Sequence, residues 1–184
     1  MVAYSKGMPL DTPAPPFSLP ATDGQSYSLD SFNDARVLVV VFTCNHCPYA
    51  QAVESRLVRL QEDFGPRGAQ LVAINPNDDV NYPEDSFDKM VQRARDREFP
   101  FPYLRDESQE VARAYNAACT PDFFVFDQAR RLRYNGRLDD NWQHADQVKR
   151  HDLREVIDCL LADATLSFAP VASMGCSIKW KARA

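Results

Sequence analysis

The sequence lacks any apolar run long enough to cross a membrane, and its first residues lack the basic, hydrophobic and small-residue segments of a signal peptide. It also has few cysteines, five in 184 residues, which is an odd number and too few for a disulfide scaffold. We therefore expect a cytoplasmic protein without a membrane partner. In such a reducing compartment, one active cysteine pair is the simplest use of the thiols.

Positive charge is also scarce, since 21 lysines and arginines stand against 26 aspartates and glutamates and give a net charge of -5. This balance argues against nucleic acid as the main partner. The sequence shows no internal repeat and no low-complexity tract, and 184 residues, 45% of them hydrophobic, suit one domain with a real core. We predict a single domain over residues 1–184, with an N-terminal arm and hairpin (1–33), a core (34–162) and a C-terminal tail (163–184).

What the sequence does contain is a CxxC pair, Cys44 and Cys47, just after its most apolar run, Val37–Phe42. That run of β-forming residues predicts a buried strand that delivers the pair onto a turn. From Ala50 onward, apolar residues recur every three or four positions, which predicts an amphipathic helix. The pair therefore lies at a strand-to-helix junction.

A helix N-terminus favours a thiolate over a thiol, because its free N–H groups and partial positive charge stabilise the anion. Lowering a cysteine pKa from about 8.5 to about 6.5 favours the thiolate by roughly 2.7 kcal/mol. His46 lies inside the motif, and we hypothesise that its protonated ring stabilises the thiolate further and makes the disulfide a stronger oxidant. The redox potential of His46→Pro should then be less oxidising than that of the wild type.

The patterns that follow predict an α/β fold whose sheet has a parallel core. Residues 70–74 form a second buried strand, so that strand, helix and strand make a βαβ unit. Asp85 and Ser86 are predicted to cap a second helix. Residues 123–134 contain two short apolar runs around a turn, which predict an antiparallel hairpin, and residues 153–161 carry the apolar stripe of a last helix.

The two ends of the chain carry weaker patterns. Residues 1–24 are rich in proline and predict an extended arm laid on the body, and the turn at Asp23-Gly24 predicts an N-terminal hairpin. Residues 163–184 contain no long periodic segment. We expect a tail that packs on the domain.

This order of elements resembles the thioredoxin fold over nearly all of the chain. The segment 14–24 is similar to the start of peroxiredoxins and membrane-anchored thiol-disulfide reductases. Four further segments resemble peroxiredoxin-like (AhpC/TSA-type) members of the thioredoxin family: 44–49 (CNHCPY), 120–127 (TPDFFVFD), 136–140 (GRLDD) and 177–181 (SIKWK). The resemblance implies a mixed central sheet flanked by helices, with an N-terminal hairpin extension and a C-terminal tail.

The resemblance also implies roles for particular residues. Cys44 would be the exposed, attacking thiol, and Cys47 would resolve the mixed disulfide from inside. Asn45 and His46 would be active-site neighbours. The Thr120–Pro121 peptide bond would be cis and would lie beside the thiols, leaving the backbone of Thr120 free to pair with an extended substrate segment.

The sequence departs from the active-site patterns of both peroxiredoxins and thioredoxins. If Cys47 is the peroxidatic cysteine, Cys44 occupies the place of the usual Thr or Ser, and the peroxiredoxin arginine near the late strand is missing. Thioredoxins carry a buried acid before their first cysteine, and in this sequence Leu38 occupies that position. Proton transfer then needs another group, and the candidates are Glu54, Asp139, Asp140 and water.

Pro48 leaves two geometries open. If the helix begins near Cys44, Pro48 removes an early helical N–H and crowds the Cys44 carbonyl. If Pro48 is the first helical residue, Cys47 is the cap and gains more from the helix dipole. The second geometry would make Cys47 the low-pKa thiol and would favour a peroxidase function.

These observations favour a thiol-disulfide oxidoreductase that uses the Cys44–Cys47 pair on protein or small-molecule disulfides and is recycled by a thiol electron donor. A peroxiredoxin-like thiol peroxidase, with an antioxidant role, is the first alternative. A thioredoxin-fold carrier of copper or another metal is the second, although its usual spacing is CxxxC. We predict no cofactor and no resident metal.

The remaining thiols are assigned as follows. Cys119 lies two residues before Pro121 and is either a small buried hydrophobe or an extra active-site thiol. Cys176, in the tail, is either a packing residue or an additional resolving thiol. Cys159 is interpreted as a spare thiol on the last helix.

Overall fold

A computed structural model of the protein describes residues 1–182; Arg183 and Ala184, the last two residues of the predicted tail, lie outside the described residues. Its strands are β1 (Val2–Tyr4), β2 (Ser18–Pro20), β3 (Ser26–Ser28), β4 (Val37–Phe42), β5 (Ala69–Asn75), β6 (Tyr103–Arg105), β7 (Cys119–Thr120), β8 (Asp122–Phe126), β9 (Leu132–Gly136) and β10 (Met174–Ser177). Its α-helices are α1 (Pro48–Phe64), α2 (Phe87–Asp96), α3 (Glu110–Ala114) and α4 (Asp152–Leu161).

The central sheet has five strands in the order β6-β5-β4-β8-β9. β4 pairs in parallel with β5 and antiparallel with β8, and β8 forms the predicted hairpin with β9. The prediction of a mixed sheet that contains a βαβ unit is therefore confirmed. The central strand ends where the CxxC turn begins.

Both faces of this sheet are covered, which explains why β4 is apolar without alternation. Val39 and Val41 pack into a core with residues of α1 and α4. Leu38 and Val40 pack into a second core with residues of the N-terminal arm and α3. Every residue of β4 is fully buried, so the strand holds the CxxC turn in a fixed place.

The predicted N-terminal hairpin is present as β2 and β3, which pair antiparallel. A further sheet, in the order β1-β10-β7, was not predicted. It joins both ends of the chain to the segment that precedes Pro121, because β10 pairs with β1 on one side and with β7 on the other. The tail thus contains a strand, and this strand lies beside the candidate site.

Candidate active site

The CxxC pair lies between the central strand and the first helix. β4 ends at Phe42, Cys44 follows in the turn, and α1 begins at Pro48 with Cys47 as its N-cap. Proline is favoured at the first helical position, because no intrahelical N–H is needed there. Of the two geometries open for Pro48, the structure has the second, in which Cys47 gains more from the helix dipole.

Neither thiol of the pair reaches solvent. Cys44 is 1% exposed and Cys47 is 0% exposed, so the expectation that Cys44 is the exposed cysteine is wrong. The cause is tertiary packing, since Thr120 on β7 contacts both sulfurs and Cys176 on β10 packs against them. The sequence around the motif gives no sign of this cover.

Both sulfurs converge on one threonine. Cys44 Sγ lies 3.2 Å from Thr120 Oγ1, and the protonated Cys47 thiol donates to the carbonyl oxygen of Thr120 at 3.2 Å. The Thr120–Pro121 peptide bond is cis. The fold thus brings together two segments that lie far apart in the sequence.

The surroundings push the pKa values of the two thiols apart. Hydrogen bonding to Cys47, burial and the negative charge of Asp85 raise the pKa of Cys44 well above its ordinary value. Hydrogen bonding from Cys44, and then from Cys176, lowers the pKa of Cys47, and the helix N-terminus acts in the same direction. Burial opposes this lowering, as does the carbonyl oxygen of Thr120, which accepts only from the protonated thiol. Cys47 is therefore the thiol that ionises first.

A buried carboxylate holds the two residues between the cysteines. Asp85 is 0% exposed and accepts from the backbone N–H of Asn45 at 2.6 Å and from the side-chain amide of Asn77 at 2.9 Å. Nδ1 of His46 lies 2.5 Å from Oδ2 of the same carboxylate. The His46 ring also stacks on Tyr82, with ring centroids 5.1 Å apart. Asn45 and His46 therefore line the site in orientations that Asp85 fixes.

Comparison with known proteins identifies the family. A model of the AhpC/TSA family matches residues 10–135, more than half of the chain, including the CxxC turn and all but the last residue of the hairpin that follows Pro121. The chain belongs to the AhpC/TSA family. It is a redoxin-type protein with the thioredoxin fold, and AhpC/TSA membership supports a thiol-based redox function.

Two crystal structures are similar to this AhpC/TSA protein over nearly its whole length. An uncharacterized conserved protein from Geobacillus kaustophilus is 42% identical, with a TM-score of 0.95 over 100% of this chain and 98% of that chain. A hypothetical protein from Sinorhizobium meliloti 1021 is 38% identical, with a TM-score of 0.94 over 98% of this chain and 99% of that chain.

A more distant structure shows the fold alone. The thioredoxin domain of a thiol-disulfide oxidoreductase from Bacteroides vulgatus is 13% identical, with a TM-score of 0.66 over 84% of this chain and 99% of that chain. The comparison with curated proteins finds no match to this AhpC/TSA chain.

Asp85 is the site residue that sequence reasoning missed. The sequence suggested that Asp85 and Ser86 cap α2, but Ser86 is the N-cap and the Asp85 carboxylate points into the site. A signal was available, because Asn75 ends β5 and Asn77 and Asp85 lie in the segment that follows it, at the same sheet edge as the CxxC turn. Its strength was low, because polar residues are also common in ordinary loops.

The acids proposed from the sequence have other partners in this AhpC/TSA protein. Glu54 pairs with Arg93 at 2.5 Å, and Asp139 pairs with Arg56 at 2.6 Å. Asp140 is exposed and accepts from a backbone N–H. Ion pairing therefore accounts for the two buried acids of this group.

The remaining thiols differ in their positions. Cys119 is fully buried, and its thiol lies 3.6 Å from the carbonyl oxygen of Pro121. Burial raises the pKa of Cys119, which keeps its thiol protonated. Cys159 lies on α4, and Cys176 lies on β10 against the CxxC pair. Cys176, and not Cys119, is thus the further thiol that packs on the pair.

The backbone of Thr120 is not free, contrary to expectation. β10 pairs antiparallel with β7, and Cys176 lies opposite Thr120 in the register. The tail of the AhpC/TSA chain therefore occupies the edge of β7, which was predicted to pair with a substrate segment.

Three potential metal ligands meet in the site. Cys44 Sγ, a ring nitrogen of His46 and a carboxylate oxygen of Asp85 lie within 4.8 Å of one another. Cu(I) prefers several soft sulfur ligands, whereas this set contains one. The carboxylate also already accepts hydrogen bonds from Asn45 and Asn77. The donor set is thus a poor match to the copper carrier considered from the sequence.

Among the residues that the structure describes, no helix has the length and apolar character needed to cross a membrane.

Proposed function

We propose that the protein is a thiol-disulfide oxidoreductase that cycles Cys44 and Cys47 between a dithiol and a disulfide. The observation that carries the proposal is the convergence of both sulfurs on Thr120, each at 3.2 Å. Their pKa values are pushed in opposite directions, so one thiol is readily ionised and the other stays protonated. Thiol-disulfide exchange uses such a pair, with one sulfur as nucleophile and the other as resolving thiol.

The ionisation order assigns the roles in the reverse of the sequence-based expectation. The Cys47 thiolate attacks one sulfur of a substrate disulfide, and the other substrate sulfur leaves as a thiolate. Cys44 then loses its proton and attacks Cys47 Sγ, forming the Cys44–Cys47 disulfide and releasing the second substrate thiolate. Two electrons pass to the substrate, whose thiolates take up the proton from Cys44 and one proton from solvent. A thiol donor restores the dithiol.

We assign the Cys44 proton to Asp85. A carboxylate oxygen of Asp85 lies within 4.8 Å of Cys44 Sγ, which allows transfer through one bridging water. The carboxylate is fully buried, and its hydrogen bonds to Asn45 and Asn77 fix its position. Asp85 thus supplies the acid that is missing at Leu38.

A thiol peroxidase is the second candidate, and the N-cap position of Cys47 favours it. In that reaction the Cys47 thiolate attacks a hydroperoxide and becomes a sulfenic acid while the alkoxide leaves. The Cys44 thiol then condenses with the sulfenic acid, giving the disulfide and water. The peroxidase arginine is absent from the Thr120–Pro121 segment, so we place this candidate second.

Reduction of insulin by the full-length protein, with dithiothreitol as donor, tests the proposal. We expect turnover by the wild type, loss of turnover in Cys44→Ser and Cys47→Ser, and wild-type turnover in Cys159→Ser, the matched control on α4. Parallel assays follow thiol-dependent consumption of hydrogen peroxide and of an organic hydroperoxide. Peroxide turnover without insulin reduction would favour the second candidate and refute the first.

A further inference from the structure

Cys176 lies where the chain folds its own tail over the CxxC pair. β10 runs antiparallel to β7, and Cys176 is opposite Thr120, the residue that both active-site sulfurs contact. The side chain of Cys176 packs against the cluster formed by Cys44, Cys47 and Ala50. Three thiols therefore share one small region of the molecule.

A glycine permits this close approach. A Cβ atom at Gly175 would lie 2.1 Å from the carbonyl oxygen of Thr120 and 2.6 Å from its carbonyl carbon. Both contacts are with backbone, which cannot move aside as a flexible side chain can. A glycine at 175 thus lets β10 bring the next residue, Cys176, against the pair.

The three sulfurs differ in their access to solvent. Cys44 and Cys47 are 1% and 0% exposed, whereas Cys176 is only partly buried. An external thiol therefore meets Cys176 before it meets either member of the CxxC pair.

We propose that Cys176 is a third redox thiol, which passes electrons from an external dithiol to the buried Cys44–Cys47 disulfide. The inference deepens the proposed function and rests on it. The tail strand β10 would then take part in the chemistry in addition to its role in packing.

The first step is an internal exchange that needs no oxidant. Cys176 loses its proton to solvent, and its thiolate attacks Cys47 Sγ. The Cys44–Cys47 bond breaks, a Cys47–Cys176 bond forms, and Cys44 leaves as a thiolate that takes up a proton. The disulfide has then moved to a sulfur with access to solvent.

An external dithiol completes the reduction. One of its thiolates attacks Cys176 Sγ, and Cys47 leaves as a thiolate. The second thiolate of the donor attacks the donor's own first sulfur, and Cys176 leaves and takes up a proton. The donor becomes a disulfide, and the protein has gained two electrons.

Cys47 influences the ionisation of Cys176 in the first step and is the leaving group in the second step. Burial, and then hydrogen bonding and the charge of Cys47, raise the pKa of Cys176, while Lys179 lowers it. Once Cys47 is in a disulfide it carries no charge, so part of the cause that raises the pKa of Cys176 is gone. In the second step, Cys47 is a good leaving group because its own pKa is lowered.

The test is disulfide mapping of the full-length protein after oxidation with diamide and acid trapping with N-ethylmaleimide. No Lys or Arg lies between Glu155 and Ile178, so Cys159 and Cys176 share a tryptic peptide. The mapping is therefore done in the Cys159→Ser background. We expect both Cys44–Cys47 and Cys47–Cys176 linkages in this protein, and Cys47–Cys176 alone when Cys44→Ser is added.

A kinetic arm uses Cys176→Ser. We expect its Cys44–Cys47 disulfide to form normally but to be reduced by dithiothreitol at least about tenfold more slowly than that of Cys159→Ser. If the Cys44–Cys47 linkage forms, the Cys47–Cys176 linkage never does and the two reduction rates are equal, the relay is refuted and the proposed function stands. If no Cys44–Cys47 linkage forms, the proposed function fails and the relay fails with it.

Discussion

At the scale of single residues, the chemistry depends on how differently the two sulfurs of the CxxC pair are placed. Cys47 is the N-cap of α1, and hydrogen bonding from Cys44 and Cys176 stabilises its thiolate form, whereas Cys44 lies beside the Asp85 carboxylate. Two thiols separated by two residues thus have opposite tendencies to ionise. The burial of both sulfurs also means that exposure does not select the nucleophile.

The ionisation of Cys47 predicts a thiolate that persists into acidic solution. Ultraviolet absorbance of the reduced protein should report one thiolate at neutral pH, which disappears only well below the ordinary cysteine value of about 8.5. Cys44→Ala should raise the midpoint by about one pH unit or more, because hydrogen bonding from Cys44 is the largest cause of the lowering. Cys47→Ser should abolish the signal and Cys159→Ser should keep it. A neutral-pH signal retained in Cys47→Ser would contradict the assignment.

Asp85 gives a prediction about pH dependence. Asp85→Asn removes the base that we propose for Cys44. The rate at which the mixed disulfide is resolved should then fall by about tenfold or more at neutral pH, and this rate should increase with pH. Loss of the carboxylate charge also lowers the pKa of Cys44, which acts in the opposite direction. The pH profile of insulin reduction, together with trapping of the mixed disulfide, therefore shows which of the two effects is larger. Asp88→Asn, an exposed position on α2, is the control, and a wild-type profile in Asp85→Asn would exclude Asp85 as the base.

At the scale of elements, the site depends on three pieces that meet at one sheet edge: the end of β4, the start of α1 and the β7–β10 pair. β4 and α1 adjoin in the sequence, whereas β10 comes from the far end of the chain. The pairing of β10 with both β1 and β7 fixes the tail over the thiols.

Gly175→Ala should displace β10 and loosen this cover. The added Cβ would meet the backbone of Thr120, so we expect a loss of about 1–3 kcal/mol in the free energy of unfolding. Alkylation of Cys176 by iodoacetamide should become faster. Gly65→Ala is the matched control, because its Cβ meets only the flexible end of Gln61. Equal stability and equal alkylation in the two variants would show that β10 is not held by this contact.

At the scale of the whole molecule, the proposed redox cycle predicts how the potential of the pair depends on pH. With Cys47 ionised and Cys44 protonated at neutral pH, reduction takes up two electrons and one proton. The potential should then fall by about 30 mV per pH unit, whereas two protonated thiols would give about 59 mV. Stabilising the thiolate also stabilises the reduced form, so the potential should be less negative than about -270 mV, the value for thioredoxin.

Equilibration with glutathione redox buffers over the neutral pH range measures both quantities. The direction of the pH dependence follows from the lowered pKa of Cys47 in the folded protein. The ionised Cys47 stabilises the folded protein fully above the pKa of the unfolded thiol, and this stabilisation is lost as the pH falls through the pKa of Cys47 in the folded protein. At that lower pH Cys47 binds a proton. The slope should therefore steepen toward about 59 mV in acid. A slope of that size already at neutral pH would show that Cys47 is not ionised there.

The sequence by itself determined the strand, turn and helix around the CxxC pair, the parallel pairing of β4 and β5, and the hairpin after Pro121. These elements can be predicted because residues close together in the sequence specify them, through hydrophobic periodicity and turn residues. The same local patterns placed Asn45 and His46 in the turn, but they left two possible starts for the helix, one near Cys44 and one at Pro48.

Only the tertiary structure decided which sulfur ionises first, which acid lies beside the pair and what covers it. Asp85 reaches the site from the loop after β5, and Cys176 reaches it on a short strand from the tail. Such contacts join residues distant in sequence, and a four-residue strand has too few positions for a periodic signal. The burial of Cys44 follows from those same contacts, so no pattern around the motif itself contained it.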